Sequence, residues 1–147
     1  SSMQTLGVGE GAGTALCAPL RTAGNRAGAR AVNDRLALQL EAFDPQGVTA
    51  LNQQFHTLLF HRCPNPRLRA LVEAEWTRLG HLRSSTFAFV PGRARVSVQE
   101  HEQILALIEA GAPAAEIEDA ARAHRSATLQ AYWQQEHPHD DDTQIAT

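Results

Sequence analysis

The stretch LNQQFHTLLFHRC, residues 51–63, has the residue spacing of an amphipathic helix. Asp44 and Pro45 predict where this helix starts, with Asp44 as the N-cap and Pro45 in the first turn. Asn52 and His56 are four residues apart, so their side chains lie on the same side of the helix, one turn apart. Two side chains at this spacing can bind the same metal ion, as in the zinc-binding helix motif with two histidines.

The composition of the chain favours helices throughout. Hydrophobic residues make up 43% of the sequence and aromatic residues only 5%, so Ala and Leu supply most of the core. Both have high helix propensity, and runs of β-branched residues are scarce. Further helix starts are predicted at Asn65-Pro66, at the capping box SVQE with Ser97 as its N-cap, and at Pro113. We therefore expect an all-α fold, an antiparallel bundle of about six helices joined by short loops.

The domain organisation follows from length and glycine content. The chain has 147 residues, the length of about one domain. Residues 1–14 include glycines at positions 7, 9, 11 and 13, and we expect this segment to be flexible. The domain itself is expected over residues 15–136, beginning with a short helix at 15–21. Residues 137–147 form a polar tail that is expected to be disordered.

Charge and cysteine content exclude several classes of protein. The net charge is −3, so no basic surface for nucleic acid is evident. Cys17 and Cys63 are the only cysteines, which is too few for a disulfide framework and favours reduced thiols in the cytoplasm. No apolar run approaches the length of about 20 residues that spans a membrane, and no signal peptide is visible. We therefore expect a cytoplasmic protein with no membrane partner.

Two further histidines fall on the apolar faces of predicted helices. His101 is followed by apolar residues three, four and seven positions later, and His124 shares a face with apolar residues of the last predicted helix. A single inward histidine is more often a hydrogen-bonded core residue than a metal ligand. Together with Asn52 and His56, however, the two histidines could bind Zn, Ni or a similar divalent ion and leave coordination positions open for a ligand.

Two charged residues are candidates for contacting a bound ligand. Glu75 falls in the middle of the apolar face of the helix predicted after Pro66, where a carboxylate needs a partner or a wet cavity. This position is equally consistent with pairing to a nearby Arg and with ligand binding. Arg83 precedes the polar cluster SST of residues 84–86, which could line a cavity.

Four motifs occur in an order that resembles a known family. They are LNQQFH at 51–56, CPNPRL at 63–68, SVQEHEQILALIEAG at 97–111 and AARAHRSATL at 120–129. In this order they are similar to the FCD domain, the C-terminal effector-binding domain of the FadR subfamily of GntR-type transcription regulators. The resemblance implies an all-α, dimeric domain that binds small carboxylates, often through a metal ion. The metal ligands that it implies are Asn52, His56, His101 and His124.

The sequence departs from that family's pattern in three respects. Asn52 occupies a position where the family usually has Asp, and a neutral amide is a weaker metal ligand than a carboxylate. The first helix is expected to be short and broken by glycines. No winged-helix DNA-binding domain precedes residue 1, so we expect DNA to be contacted only through a domain absent from this chain.

The leading hypothesis is an effector-binding domain of a transcription regulator, not an enzyme, that binds a divalent metal ion and a small carboxylate and forms a homodimer. One alternative is a metal-dependent enzyme that uses the same histidines, with Glu75 as the candidate general base. The other is a helical interaction module whose histidines pack in the core without a metal ion. Metal analysis of the purified protein would separate the last alternative from the other two.

Overall fold

The structure, a computed structural model, describes residues 2–20, 23–42, 44–78 and 91–136. Within these ranges the chain forms six α-helices and one turn of 3-10 helix, and no strand. The α-helices are α1 (Ser2–Cys17), α2 (Ala23–Glu41), α3 (Pro45–Phe60), α4 (Pro66–Arg78), α5 (Pro91–Glu109) and α6 (Ala114–Glu136). The 3-10 turn, Ala18–Leu20, directly follows α1. The prediction of an all-α bundle of about six helices is confirmed.

The helices pack around a core that most of them share. α1 packs against α6 and α4, α2 packs against α3 and α5, and α5 also contacts α6. The main buried cluster takes apolar side chains from every helix except α4; its members are Ala15, Ala29, Val32, Phe55, Leu59, Ile104, Leu105, Ile108, Ile117 and Ala121. Full burial of a large apolar side chain contributes about 1.5–3 kcal/mol. This cluster therefore holds the inward faces of α3, α5 and α6 together, and these are the helices that carry the histidines.

The N-terminal segment differs from its expected form. Residues 2–17 are one continuous helix, and Leu6 within it is fully buried. The glycines of α1 lie where other helices come close: a Cβ added at Gly9 would lie 2.8 Å from Val72 on α4, and one added at Gly11 would lie 3.2 Å from the Glu118 carbonyl on α6. Close packing against these two helices thus outweighs the low helix propensity of glycine.

Two further expectations about the ends of the domain need correction or stay open. The short helix expected at 15–21 is not a separate element, because residues 15–17 complete α1 and the 3-10 turn follows them. The folded part of the chain accordingly begins well before residue 15. The tail expected at 137–147 lies outside the residues that the structure describes.

The start of α3 and the end of α5 lie where local sequence signals predict them. Asp44 Oδ1 accepts a hydrogen bond from the Gly47 amide at 3.1 Å, which makes Asp44 the N-cap. α5 ends at Glu109 and is followed by Gly111, whose φ of 66° is the left-handed conformation that glycine adopts without strain. The Gly111 amide donates to the Ile108 carbonyl at 3.1 Å, and the next amide donates to the Leu107 carbonyl at 3.0 Å.

The predicted start of α5 is wrong. The capping-box pattern favoured Ser97 as an N-cap, but the helix already begins at Pro91, and Ser97 is fully buried within it. The apolar stripe extends one turn further back, because Ala94 is also buried and packs with Leu36 and Val48. Tertiary packing therefore extends the helix through a residue that could have capped it. None of the helices in the described ranges is long and apolar enough to cross a membrane.

Candidate metal centre

Three histidines from three helices meet inside the bundle. His56 lies on α3, His101 on α5 and His124 on α6, and each is at most 4% exposed. His124 Nε2 is 3.2 Å from His101 Nε2 and 3.2 Å from His56 Nε2. All three ligand nitrogens lie within 4.8 Å of one another. The convergence expected from the inward positions of these residues is present.

Aromatic contacts hold two of the rings. The ring of Phe55 stacks on His101 with the centroids 3.9 Å apart, and it meets the edge of His56 at 5.6 Å. Trp76 on α4 lies 5.4 Å from the ring of His56. These large side chains occupy the apolar surroundings of the rings, so the imidazoles have little space in which to rotate.

In two of the rings, the Nδ1 nitrogen, which faces away from the other histidines, contacts an oxygen. His101 Nδ1 lies 2.9 Å from Asn33 Oδ1, and Asn33 Nδ2 donates to the Val98 carbonyl at 3.1 Å and to Glu102 Oε1 at 3.0 Å. His124 Nδ1 lies 3.0 Å from Glu100 Oε1. In both rings, therefore, Nδ1 contacts an oxygen while Nε2 faces the other histidines.

Arg93 connects Glu100, the partner of His124, to further atoms of α6. Its guanidinium pairs with Glu100 and donates to the His124 carbonyl at 3.1 Å and to Thr128 Oγ1 at 3.1 Å. The Thr128 hydroxyl in turn donates to the His124 carbonyl at 3.1 Å. Glu100 is thus held between a guanidinium and an imidazole, in the middle of α5.

Asn52 lies on α3, one turn before His56, and is only 1% exposed. Its Oδ1 is buried and has no hydrogen-bond partner within the described part of the chain. Ser97 lies one turn before His101 on α5, and its hydroxyl is also buried without a partner among the described residues. A buried polar atom left unpaired costs about 1–3 kcal/mol. Both helices therefore carry an oxygen of unused hydrogen-bonding capacity one turn away from a clustered histidine.

Of the two residues predicted to contact a ligand, Glu75 and Arg83, the structure describes only Glu75. Glu75 is buried, with 7% exposure; its Oε1 lies 3.8 Å from Arg78 Nη1, and its Oε2 has no partner among the residues described. The pairing with Arg78 is weak because the Arg78 side chain is 66% exposed. Arg83 lies outside the described residues. The histidine group found among the described residues includes no carboxylate.

A buried ion pair lies next to the site. Arg125, adjacent in sequence to His124, binds Glu10 of α1 through Nε at 2.5 Å and Nη2 at 3.2 Å, and both side chains are at most 4% exposed. The Arg125 guanidinium also lies 4.8 Å from the centroid of Trp76. This arrangement connects α1, α4 and α6, and Trp76 in turn contacts the ring of His56.

A partly exposed ion-pair group joins α2 to α5. Arg30 pairs with Glu102 and binds both carboxylate oxygens of Glu109 at 3.0 Å. Hydrogen bonding to Glu109, together with the charges of Glu109 and Glu102, raises the pKa of Arg30 above its usual range. Arg30 is therefore charged at neutral pH, and it pairs with one carboxylate oxygen of Glu102 while the other oxygen accepts from Asn33.

Sequence reasoning missed three residues around the histidines: Asn33, Arg93 and Glu100. Asn33 is 1% exposed and lies between the buried Ala29 and Leu36 at helical spacing. A polar residue inside an apolar stripe is the same signal that identified His101, so the sequence pattern could also have identified Asn33. Glu100 belongs to the capping-box pattern SVQE, which predicts a helix start and no contact with a histidine. Nothing in the sequence links Arg93 to α6.

Comparison with known proteins identifies one family. The family model of the FCD domain matches residues 10–133. The matched range contains Asn52 and all three clustered histidines, and it begins inside α1. No curated protein and no solved structure matches the chain.

Proposed function

Because the chain belongs to the FCD domain family, we propose that it is the effector-binding domain of a GntR-type transcription regulator. In this proposal the histidine cluster binds a divalent metal ion, and the metal ion binds a small carboxylate. The bound acid shifts the relative positions of the helices that hold the site, and a separate winged-helix domain converts this shift into altered DNA binding. The regulator acts in the cytoplasm as a homodimer and not as an enzyme.

The distance between the ring nitrogens is the observation that carries the metal proposal. Neighbouring Nε2 atoms are 3.2 Å apart. A tetrahedral ion bound by nitrogens at about 2.0–2.1 Å separates neighbouring nitrogens by roughly 3.3–3.4 Å. The two nitrogen pairs that include His124 thus have close to the spacing that such an ion requires, and imidazole nitrogens suit Zn and Ni.

The donor set also supports an acid as the effector. Asn52 offers a buried amide oxygen without a partner in the described structure, which suits a fourth ligand. Three neutral imidazoles and a neutral amide leave the charge of a dication without compensation among its ligands, in a core where charge is costly. An anionic group in an open coordination position relieves this cost. Glu75 and Arg83 remain the candidates for contacting the rest of the effector.

Metal titration tests the proposal. The purified protein is freed of metal with a chelator and titrated with Zn²⁺ and Ni²⁺ by isothermal calorimetry. We expect one ion per chain, and His124→Gln should abolish this binding. His61→Gln is the matched control, because His61 lies at the end of α3, is half-buried and is not part of the cluster. Absence of stoichiometric binding, or equal binding by His124→Gln, would contradict the proposal.

A second experiment addresses the effector. The metal-loaded protein is titrated with a panel of small carboxylates, and each titration is repeated with the metal-free protein. We expect at least one acid to bind only when the metal is present and to be recovered unchanged after prolonged incubation. Conversion of the acid to a product would favour the metal-dependent enzyme instead. Binding that is independent of the metal would remove the metal from the recognition step.

A further inference from the structure

We infer that Asn33 and Glu100 are positioning residues that fix the tautomers of His101 and His124, so that both rings direct an Nε2 lone pair into the cluster before any metal ion arrives. The inference rests on the proposed metal site for its functional meaning. The tautomers themselves follow from hydrogen-bond chemistry alone and can be measured on the metal-free protein.

The orientation of the Asn33 side chain is determined by its two donated hydrogen bonds. The Val98 carbonyl and the Glu102 carboxylate can only accept, and they lie 3.1 Å and 3.0 Å from the same Asn33 atom. That atom must therefore be the amide nitrogen, and the other end must be the oxygen. Because an amide oxygen only accepts, His101 Nδ1 at 2.9 Å must carry the proton. A neutral His101 then has its lone pair on Nε2.

Glu100 imposes the same tautomer on His124. Its carboxylate accepts from His124 Nδ1 at 3.0 Å. Arg93 Nη2 also lies near this nitrogen, at 3.4 Å, but the carboxylate contact is shorter, and Arg93 has acceptors in Glu100, the His124 carbonyl and Thr128. His124 Nδ1 therefore bears the proton, and the lone pair is on Nε2. Histidine ligands of metals are commonly oriented by such outer contacts.

The result is a close contact between two nitrogens that both act as acceptors. His101 Nε2 and His124 Nε2 are 3.2 Å apart, and with both protons on Nδ1 neither nitrogen donates to the other. Two lone pairs at this distance repel each other, whereas a metal ion between them is attracted to both. Asn33 and Glu100 thereby present both lone pairs to the cluster in the folded protein, so that metal binding requires no change of tautomer at His101 or His124.

The tautomers can be read by NMR. Long-range ¹H–¹⁵N correlation spectra of the metal-free protein, at a pH where the rings are neutral, distinguish a protonated Nδ1 from a protonated Nε2. We expect the Nδ1-protonated pattern for His101 and His124. Asn33→Leu should remove it for His101 alone, and Glu100→Leu for His124 alone. An Nε2-protonated pattern for either ring in the parent protein would overturn the inference for that ring, whether or not a variant folds.

Metal affinity supplies the second measurement. Loss of an outer contact lowers metal affinity by about 10–100-fold, so Asn33→Leu and Glu100→Leu should each weaken Zn²⁺ binding by that factor. Glu100→Gln retains an acceptor oxygen and should restore most of the affinity. Thr128→Val is the matched control, since it removes a hydroxyl from the Arg93 network without touching a ring nitrogen.

The two proposals fail in different ways. If the parent protein has the expected tautomers but binds no metal, the proposed function is wrong and the positioning by Asn33 and Glu100 stands. If the protein binds Zn²⁺ and the Leu variants bind it equally well, the metal site stands and the positioning role is wrong. A loss of affinity in Thr128→Val as large as in Glu100→Leu would assign the effect to the network as a whole and would also contradict the inference.

Discussion

Asn52 is the residue at which the proposed metal site would differ most from an ordinary one. Its amide oxygen is buried beside His56 without a hydrogen-bond partner in the described structure, and the amide carries no charge. A metal ion bound here would therefore depend on an external anion more than an ion bound by a carboxylate does. The preference of the site for an acid would originate in one side chain.

Exchanging this amide for a carboxylate should shift the balance between metal and acid. We expect Asn52→Asp to bind Zn²⁺ more tightly than the parent, because a charged oxygen is attracted to the ion, and to bind the acid effector more weakly. Asn52→Leu should weaken metal binding. Calorimetric titration of metal into the chelated proteins, with and without the acid, measures both effects. Equal metal affinity in all three proteins would place Asn52 outside the ligand set.

The buried pair of Arg125 and Glu10 should have a large effect on stability. Removing one partner of such a pair leaves an uncompensated buried charge and costs about 3–5 kcal/mol, so Arg125→Met should lower the free energy of unfolding by that amount in urea denaturation. The double variant Glu10→Gln with Arg125→Met should recover most of the loss. Arg122→Met is the control: Arg122 forms a pair with Glu118 on the exposed side of α6.

The control variant Arg122→Met gives the change in unfolding free energy expected for loss of an exposed ion pair. Exposed ion pairs contribute about 0–1 kcal/mol, so Arg122→Met should change stability by no more than that. If Arg125→Met proved as mild as Arg122→Met, Glu10 would have to accept a proton or reach water once its partner is removed. The double variant would then show no recovery.

Among the helices, α1 shows how packing selects residues that local propensity disfavours. Gly9 faces α4, and Gly11 faces α6. An added methyl group at Gly9 would lie too close to Val72, and one at Gly11 would require the neighbouring backbone of α6 to move slightly away. The glycines therefore act as contact residues, and the whole helix is held in the bundle by the surfaces on its two sides.

Alanine substitutions at two glycines should have opposite effects. Gly9→Ala places a Cβ 2.8 Å from Val72 Cγ2, and the cost of overpacking, about 1–3 kcal/mol, should exceed the gain in helix propensity, about 1 kcal/mol. Gly28→Ala on α2 meets no atom within 4 Å and should stabilise the protein. Denaturation midpoints measure both changes.

A compensating variant tests the contact itself. Val72→Ala removes the methyl group that the new Cβ would meet, so Gly9→Ala should be less harmful in that background than in the parent protein. Purely additive effects of the two substitutions would show that the loss at Gly9 comes from elsewhere than this contact.

These elements also show what the sequence can and cannot predict. The start of α3, the stop at Gly111 and the inward positions of His101 and His124 depend on residues within a few positions of one another, so they are predictable from local patterns. α1 is different, because its glycine spacing is explained only by Val72 and by α6, which are distant in sequence. For the same reason Asn33 could be recognised as a buried polar residue, but its contact with His101, 68 positions away, could not.

For the whole molecule, we expect self-association as a homodimer. A regulator of two-fold symmetric DNA sites requires two copies of its effector domain in a symmetric arrangement. Multi-angle light scattering over a range of protein concentrations, with metal present, measures the mass directly. A mass that stays at 16.0 kDa at the highest concentration would contradict the expectation for this chain.

The order in which the three histidines occur along the chain would set when the proposed metal ion can be acquired during synthesis. His124 lies 68 residues after His56, on the last of the described helices. A nascent chain that has completed α3 and α5 therefore holds only two of the three imidazoles, and it lacks the Glu10–Arg125 pair that secures α6 to α1. An incomplete set of ligands binds metal weakly, and a complete set is assembled only by folding. If the cluster binds a metal ion as proposed, stable retention of that ion would therefore require that α6 has packed against α1 and α5.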